Sequence, residues 1–348
     1  MRTLVTIGAC YLDTILTVDH YPGEDEKLRA SHISRRRGGN TLNSLEVLQQ
    51  LLECSSEKAT TTTTTTCTNK AARGLLDRQQ NTTSPLYAIA VLPARSSPAT
   101  KEIEASFGPS SHVDLQHCIY REECSEPASS YIIKSTSTGS RTIVNYNELP
   151  EMTVSEFVGV AERLSAAACP RWFHFEGRIP DVTLKCIQYI RQKFPADKVS
   201  VEVEKPGREG LEDLAAAADV VFYSKSWAQG NGHQSLQGFL QAQSPLTPQA
   251  SILCCTWGEH GAACLARHNM KYIHCPAYTD TQRPVVDTIG AGDTFIAGML
   301  YNLTRQYEEN NDDDNDDFSL RQTLDFANRL AGRKVVQEGF AGLGAAVV

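Results

Sequence analysis

Short apolar runs alternate with longer segments of helical periodicity in the second half of the chain. Strands are predicted where β-branched and aromatic residues cluster, at 171–177, 199–204, 219–224 and 251–257. The intervening segments DVTLKCIQYIRQKF and REGLEDLAAAA have the apolar spacing of helices. This alternation predicts βαβ units, and therefore a mostly parallel sheet with helices on both faces. Ligands of such sheets bind beyond the carboxyl ends of the strands, so we expect functional residues directly after strands.

The first half of the chain is less regular. After the apolar run LVTIG, extended segments are predicted from Tyr11 to His20 and from Lys27 to Arg35, followed by a glycine turn and a leucine-rich helix. Residues 118–146 have the pattern of hairpins. We therefore expect one α/β domain over residues 1–348, with a small β-sheet lid formed by strands from about 11–37 and 117–147.

Two segments have the composition of insertions. Residues 54–84 contain a threonine tract without periodicity, and residues 308–317 are strongly acidic. Both compositions are typical of surface loops, so we expect a disordered low-complexity loop at 54–84 and an acidic loop at 308–317.

Composition excludes several classes of partner. The 348 residues are 41% hydrophobic, with a formal charge of -8 and a pI near 5.6. This balance argues against nucleic acid or an anionic membrane as a partner. Eleven cysteines without a Cys-x-x-Cys pair favour a reducing, cytoplasmic location over a disulfide scaffold or a zinc site. Asp13 interrupts the apolar N-terminal segment, so we expect a buried strand there, with no signal peptide and no membrane span.

The segment DTIGAGDTFIAGML, residues 287–300, contains the most informative candidate site. Gly290, Ala291 and Gly292 leave backbone amides uncovered, and the apolar spacing after them predicts a helix from about Asp293. The free amides and the dipole of a helix start favour an anion. A carboxylate in the same turn could accept a proton from a hydroxyl while the amides hold a phosphoryl group. The alternative is a structural N-cap aspartate after a glycine turn.

A second candidate site is the segment GGNTLN. Gly39 permits a tight turn, and Asn40 and Asn43 face the same way at a helix start, where two carboxamides can hold several hydroxyls of a polyol. Asp13 is predicted to end the first strand, where its carboxylate can accept hydrogen bonds from vicinal hydroxyls. Each residue also has a structural alternative, as a helix cap or a turn residue.

Weaker signals come from residues that follow other strands. The candidates are Arg141, Glu176 and Arg178. An arginine after a glycine turn, such as Arg141, suits a phosphate because its planar fork matches phosphate oxygens, whereas His174 is interpreted as a core or supporting residue. The chain contains neither a P-loop pattern nor a dinucleotide-binding glycine fingerprint after a strand. A nucleotide would therefore bind in another way. One candidate is the tight turn of Gly258, Glu259, His260 and Gly261, where the backbone could approach a ligand.

Taken together, these motifs resemble those of the ribokinase-like (PfkB) carbohydrate kinases. DTIGAGDTF is similar to the family's C-terminal signature, and GGNTLN is similar to its sugar motif. Six further segments occur in the same order as in the family's ketohexose-specific members: YPGED, RRRGGN, SRTIV, FEGR, VSVEVEKP and DVVFYSK. The resemblance covers most of the chain outside the two insertions. It implies a ribokinase-like three-layer α/β/α sandwich with a lid. It also implies transfer of the ATP γ-phosphoryl group to the 1-hydroxyl of a ketohexose such as D-fructose.

The resemblance also implies roles for particular residues. Asp293 would be the general base, and the amides of Gly290, Ala291 and Gly292 the anion hole. Mg²⁺ would accompany ATP, and a K⁺ would lie beside Asp287. Two identical subunits would interlock their lids. The implied sugar contacts are Asp13, Gly39, Asn40, Asn43 and, from the partner subunit's lid, Asp25; the implied ATP contacts are Arg141, Lys225, Gly258, Glu259, His260 and Gly261, with Asn328 and Ala331 near the adenine.

Departures from the family pattern keep alternatives open. The usual Leu-Gly pair after the first helix is replaced by LLECSSE, and the Asn-x-x-Glu motif that helps to place magnesium in many members is absent at YSKSWAQG. One alternative is a kinase of the same family for another sugar or nucleoside, such as a ribokinase, fructokinase or adenosine kinase. The other is a catalytically silent sugar-binding protein of the same fold. A hydride-transferring enzyme is disfavoured because the dinucleotide fingerprint is missing.

Overall fold

A large β-sheet forms the centre of the computed structural model, which describes residues 2–66, 86–109, 111–165, 169–278, 283–306 and 316–346. Within these residues the sheet has nine strands in the order β15-β14-β13-β12-β11-β10-β1-β4-β6. Neighbouring strands are parallel except for β14 and β15, which complete one edge antiparallel. Its strands are β1 (Thr3–Ile7), β4 (Leu86–Ile89), β6 (Val113–Asp114), β10 (Arg171–Phe175), β11 (Lys198–Val203), β12 (Val220–Tyr223), β13 (Ile252–Thr256), β14 (Ala262–Ala266) and β15 (Lys271–Cys275).

Helices cover both faces of this sheet, as the alternating pattern predicts. The central strands are buried on both faces, which explains their nearly continuous apolar sequences. One core packs between the sheet and helices α1, α8 and α9, and the other lies beneath α3, α4, α5 and α7. The three-layer α/β/α arrangement is therefore confirmed. The helices are α1 (Asn40–Thr66), α2 (Pro98–Ala105), α3 (Val154–Leu164), α4 (Pro180–Lys193), α5 (Leu211–Ala217), α6 (Lys225–Gly230), α7 (Leu236–Gln243), α8 (Ala291–Gln306) and α9 (Asp316–Val335).

A second sheet forms the lid that the sequence indicates. It contains β2 (Tyr11–Val18), β3 (His32–Gly38), β8 (Ser129–Ser135) and β9 (Arg141–Tyr146) in the order β3-β2-β8-β9. Two details differ from the sequence prediction. Asp13 lies within lid strand β2 rather than at the end of the first strand, and β3 begins at His32 rather than at Lys27. The hairpin prediction also fails for β7 (Ile119–Arg121), which pairs in parallel with β5 (Val91–Pro93) outside the lid.

The structure places part of each predicted insertion in a helix. Helix α1 continues to Thr66, so the first part of the threonine tract extends the leucine-rich helix. The remainder of the predicted loop, residues 67–84, lies outside the described residues. Helix α9 begins at Asp316, and residues 308–315 of the acidic segment also lie outside them. Among the described residues, no helix combines the length and apolar character needed to cross a bilayer.

Candidate active site

The glycine-rich segment 290–292 leads into helix α8 and forms its first residues, so the predicted helix start is present. The helix begins at Ala291, two residues earlier than the sequence predicts. Gly290 has φ +79°, and a side chain there would overlap the ring of Phe340, so only glycine fits. A Cβ at Gly292 would meet no atom within 4 Å, so the helix start is open on that side. The Ala291 amide donates to the Thr288 carbonyl at 3.3 Å, which makes it less available than predicted.

Asp293 lies in the first turn of α8 with its carboxylate held from the other side of the site. Asn43 Nδ2 donates to Asp293 Oδ2 at 2.8 Å, and Ser44 Oγ donates to the Asp293 carbonyl at 2.9 Å. Burial raises the pKa of Asp293 to about 7, against the opposing effect of the Asn43 hydrogen bond; the negative charges of Glu204 and Glu176 raise it further. A carboxyl group with a pKa near neutrality is suited to act as a general base.

The two asparagines of the GGNTLN segment belong to the first turn of α1. Gly39, with φ +107°, forms the turn before this helix, and a side chain there would overlap the Ala9 carbonyl. Asn43 contacts Asp293, whereas Asn40 Nδ2 donates to Glu202 Oε2 at 2.8 Å. The motif therefore holds two carboxylates that come from separate elements, α8 and β11.

Asp13 faces the same turn from the lid. Its side chain is buried, and its Oδ2 would lie 2.6 Å from a Cβ on Gly38, so the carboxylate packs over this glycine. Burial raises its pKa, opposed by a hydrogen bond from Ser130 and by the charges of Arg36 and Arg37. The structure thus brings Asp13, Gly39, Asn40, Asn43 and Asp293 together around one turn.

A buried network behind Asn40 was missed by the sequence analysis. His174 Nε2 lies 3.0 Å from Glu202 Oε1, and His174 Nδ1 lies 2.8 Å from Ser200 Oγ. Burial lowers the pKa of His174 to about 3, so its ring is neutral. The Trp172 Nε1–H donates to Ser200 Oγ, so the Ser200 hydroxyl can donate to Nδ1 and leave the Nε2 proton for Glu202. The core position of His174 is as expected, but the alternating VEVE sequence did not identify Glu202 as a site residue.

A cavity adjoins Asp293 at the carboxyl ends of the strands, where ligands of parallel sheets bind. It is lined by residues that include Gly292, Asp293, Glu202, Glu204 and Ser224. Two predicted ATP-binding segments begin at its rim. Lys225 follows Ser224 at the start of α6, and the turn of Gly258, Glu259, His260 and Gly261 follows Thr256, another lining residue. Gly258 has open space at its Cβ position, whereas Gly261 packs against the Cys275 carbonyl.

Two residues predicted to contact ATP, Arg141 and Asn328, lie away from the cavity or have other partners, and Asp25, predicted to reach the partner subunit's site, lies in a turn of the lid. Arg141 is exposed at the start of β9. It lies four residues along this strand from the position in register with Asp13, and four residues span about 13 Å of strand. Asp25 occupies an exposed turn with φ +61°. The buried Asn328 donates to the carbonyl oxygens of Cys275 and Pro276 at 2.9 and 3.3 Å, which joins α9 to the end of β15. Its amide protons are therefore not free for adenine, although neighbouring Ala331 is half-buried.

Asp287, the predicted K⁺ ligand, is already paired with two positively charged side chains. Its carboxylate accepts hydrogen bonds from Lys334 Nζ at 3.0 Å and Arg36 Nη1 at 3.3 Å. Burial opposes ionisation, but the Ile289 amide, Lys334 and Arg36 outweigh it and lower the pKa of Asp287. Within the part of the chain that the structure describes, no three His, Cys, Asp or Glu side chains are grouped as a metal site.

The chain belongs to the pfkB family of carbohydrate kinases, which it matches over residues 108–342. It is similar to a curated ketohexokinase from Mus musculus, with 29% identity over 98% of this chain and 99% of that protein. Two solved structures with the same fold are the ribokinase of Giardia lamblia (TM-score 0.73, 17% identity, 99% of this chain and 95% of the other) and the Arabidopsis thaliana ribokinase complexed with ribose and ATP (TM-score 0.69, 17% identity, 97% and 94%).

Proposed function

We propose that this carbohydrate kinase is a ketohexokinase, which transfers the γ-phosphoryl group of ATP to the 1-hydroxyl of a ketohexose such as D-fructose. The observation that carries the proposal is the placement of Asp293. Its carboxylate has a pKa near neutrality, lies at an open helix start, and is hydrogen-bonded to the sugar motif through Asn43. The ketose specificity is supported by the similarity to the mouse ketohexokinase along nearly the whole chain.

In this proposal, Asp293 accepts the proton of the attacking hydroxyl, and the amides of Gly290, Ala291 and Gly292 stabilise the transferring phosphoryl group. Asp13, Gly39, Asn40 and Asn43 would hold the other sugar hydroxyls. Phosphoryl transfer requires little covalent work from the protein, so positioning and charge stabilisation supply the rate.

ATP would extend from the helix start across the strand ends. The open space above Gly292 and Gly258 fits a ligand that approaches the backbone closely. Lys225 and the turn from Gly258 through Glu259 and His260 to Gly261 would contact the nucleotide, with Arg141 reaching it only after lid movement. Asn328 and Ala331 would lie near the adenine. Mg²⁺, bound to the phosphates, would neutralise their charge.

All ten cysteines within the described residues are free thiols, which supports a reducing, cytoplasmic location.

The outer face of the lid supports a homodimer. It carries the exposed side chains of Ile33, Tyr131, Val144 and Tyr146, and Tyr131 pairs directly with Val144 across β8 and β9. An exposed apolar sheet face of this kind is typical of an interaction surface. Asp25, in the turn between β2 and β3, would then be available to the partner's site.

A kinase of the same family for another sugar is the second candidate, and the shared fold with two ribokinases supports it. Direct detection of ADP and of the sugar product would separate the candidates. The panel contains fructose, other ketohexoses, ribose and adenosine, and NMR would locate the phosphate. Phosphate on the 1-hydroxyl of fructose supports the proposal. Turnover only with ribose or adenosine would contradict the ketose specificity, and sugar binding without any turnover would indicate a silent binding protein.

The role of Asp293 has its own test. We expect Asp293→Asn to remain folded and to lower kcat by about 10²–10⁴-fold, the usual contribution of a general base. The matched control is Asp181→Asn, which removes an exposed carboxylate from the first turn of α4. Near-normal kcat in Asp293→Asn, with the control also active, would refute the assignment.

A further inference from the structure

Lys334 is a fully buried lysine near the end of α9, behind the loop that leads into α8. Its side chain is 0% exposed, and its ammonium group is surrounded by oxygen atoms. Nζ lies 3.1 Å from the Asp287 carbonyl, 3.0 Å from Asp287 Oδ2 and 3.5 Å from the Gln337 carbonyl. The three protons of the ammonium group therefore have three acceptors, one carboxylate and two backbone carbonyls.

These oxygens are of the kind that bind a small cation, and they already accept hydrogen bonds from the Lys334 ammonium group. A K⁺ bound to the same oxygens would lie next to the Lys334 ammonium and close to the guanidinium of Arg36, which also contacts Asp287 Oδ2. Like charges at such distances repel strongly where solvent is largely excluded. The residues around Asp287 therefore do not fit the K⁺ that the family resemblance implies.

The position of Lys334 connects this cluster to the phosphate-binding helix start. The amides of Val286 and Asp287 donate to the Val335 carbonyl, next to Lys334 in α9. Asp287 Oδ1 in turn accepts from the Ile289 amide at 2.9 Å, one residue before Gly290. The ammonium group thus neutralises the carboxylate that shapes the loop from 287 to 290, and this loop sets the direction of the first amides of α8.

We propose that Lys334 is a built-in cation that takes the place of K⁺ in this protein. It is a positioning residue that holds the loop before Gly290 in the geometry required for phosphoryl transfer. The inference rests on the proposed kinase function, but its structural part does not depend on which sugar is phosphorylated. It requires the parent protein to respond weakly to K⁺ and a protein without the ammonium group to become dependent on a monovalent cation.

Two substitutions at Lys334 separate charge from volume. Lys334→Ala removes the ammonium group and leaves space for an ion, whereas Lys334→Met removes the charge and fills most of the space with an apolar chain. Arg329→Ala is the control, since it removes an exposed positive charge from the same helix. Rates would be measured in choline, Na⁺, K⁺ and NH₄⁺ chlorides at equal ionic strength, with ADP quantified directly so that no coupling enzyme responds to the salts.

We expect the parent and Arg329→Ala to differ by less than about twofold between K⁺ and choline, a change of under ~0.5 kcal/mol. Lys334→Ala should lose at least tenfold in choline and regain at least fivefold in K⁺ or NH₄⁺, with kcat changing more than the KM for sugar. Lys334→Met should lose activity without recovery. Strong activation of the parent by K⁺, or equal failure of both variants to respond although folded, would overturn the proposal.

Thermal unfolding without substrates supplies a readout that is independent of activity. K⁺ should raise the Tm of Lys334→Ala relative to choline and leave the Tm of the parent unchanged. If no sugar is phosphorylated, this comparison still tests the role of Lys334, so failure of the proposed function and failure of this inference can be distinguished. If neither variant folds, the ion series on the parent still decides, because a K⁺-dependent Tm of the parent would contradict a built-in cation.

Discussion

Removal of the hydrogen bond between Asn43 and Asp293 should shift the pH dependence of catalysis to higher pH. Asn43 Nδ2 donates to Asp293 Oδ2 at 2.8 Å and stabilises the ionised form of this proposed base, whose pKa is raised by burial to about 7. A hydrogen bond to a charged group contributes roughly 1.5–3 kcal/mol. Since one pH unit corresponds to about 1.4 kcal/mol, Asn43→Ala should raise the pKa of Asp293 by about one to two pH units.

The sign of the effect follows from the role of the carboxylate. A general base must be ionised, so kcat/KM should fall tenfold for each pH unit below its pKa. The parent should therefore lose activity below about pH 7, and Asn43→Ala below about pH 8–9. The fold should survive, because Arg37, which donates to Asn43 Oδ1, remains paired with Glu46 and Ser106.

The assay is kcat/KM for the sugar at saturating MgATP, measured between about pH 5.5 and 9.5. Because Asn43 is also a proposed sugar ligand, the amplitude alone is ambiguous, and the position of the acidic limb is the decisive quantity. Asn40→Ala is the matched control: it removes the neighbouring carboxamide, which bonds to Glu202 and not to Asp293. Its profile should fall in height and keep its limb near pH 7. An unshifted limb in Asn43→Ala would refute the reasoning.

Two other predictions concern the helix start and the lid. Gly292→Ala should keep or raise the Tm, because its methyl group meets open space and alanine favours a helix, but it should lower turnover because the methyl group projects into the cavity. Gly290→Ala should lower the free energy of unfolding by about 1–3 kcal/mol, because φ is +79° at this position and the methyl group would overlap an aromatic ring. Tyr131→Glu combined with Val144→Glu should convert a dimer into a monomer in light-scattering measurements, with Arg141→Glu on the same sheet as a charge control; a parent that is already monomeric would contradict the lid interface.

The fold was largely predictable because its signals are local. Alternating apolar runs and helical segments required a parallel sheet with two helical layers, and glycines at 39 and 290 marked backbone turns that other residues cannot adopt. These turns place Asn43 and Asp293 at helix starts, so the sequence could identify the residues, although not their mutual hydrogen bond.

Other features depend on contacts between distant segments. Glu202 resembles any strand glutamate until the pairing of β10 with β11 places it beside His174. Lys334 has the position of an ordinary basic residue at a helix C-terminus, where the dipole favours positive charge. Only the packing of α9 against the loop at Asp287 shows that it is buried and bonded.

The contact between Arg36 and Asp287 joins the lid to the loop before α8. Arg36 belongs to β3 of the lid, and Asp287 to the loop before α8, so a ligand that moves the lid also changes the surroundings of this loop. Coupling between two binding sites is reciprocal: whatever free energy a sugar contributes to nucleotide binding, the nucleotide returns to sugar binding. Measurement of the sugar affinity with and without nucleotide, and of the nucleotide affinity with and without sugar, would give the same coupling free energy twice. The Arg36–Asp287 ion pair offers a direct physical route for this coupling.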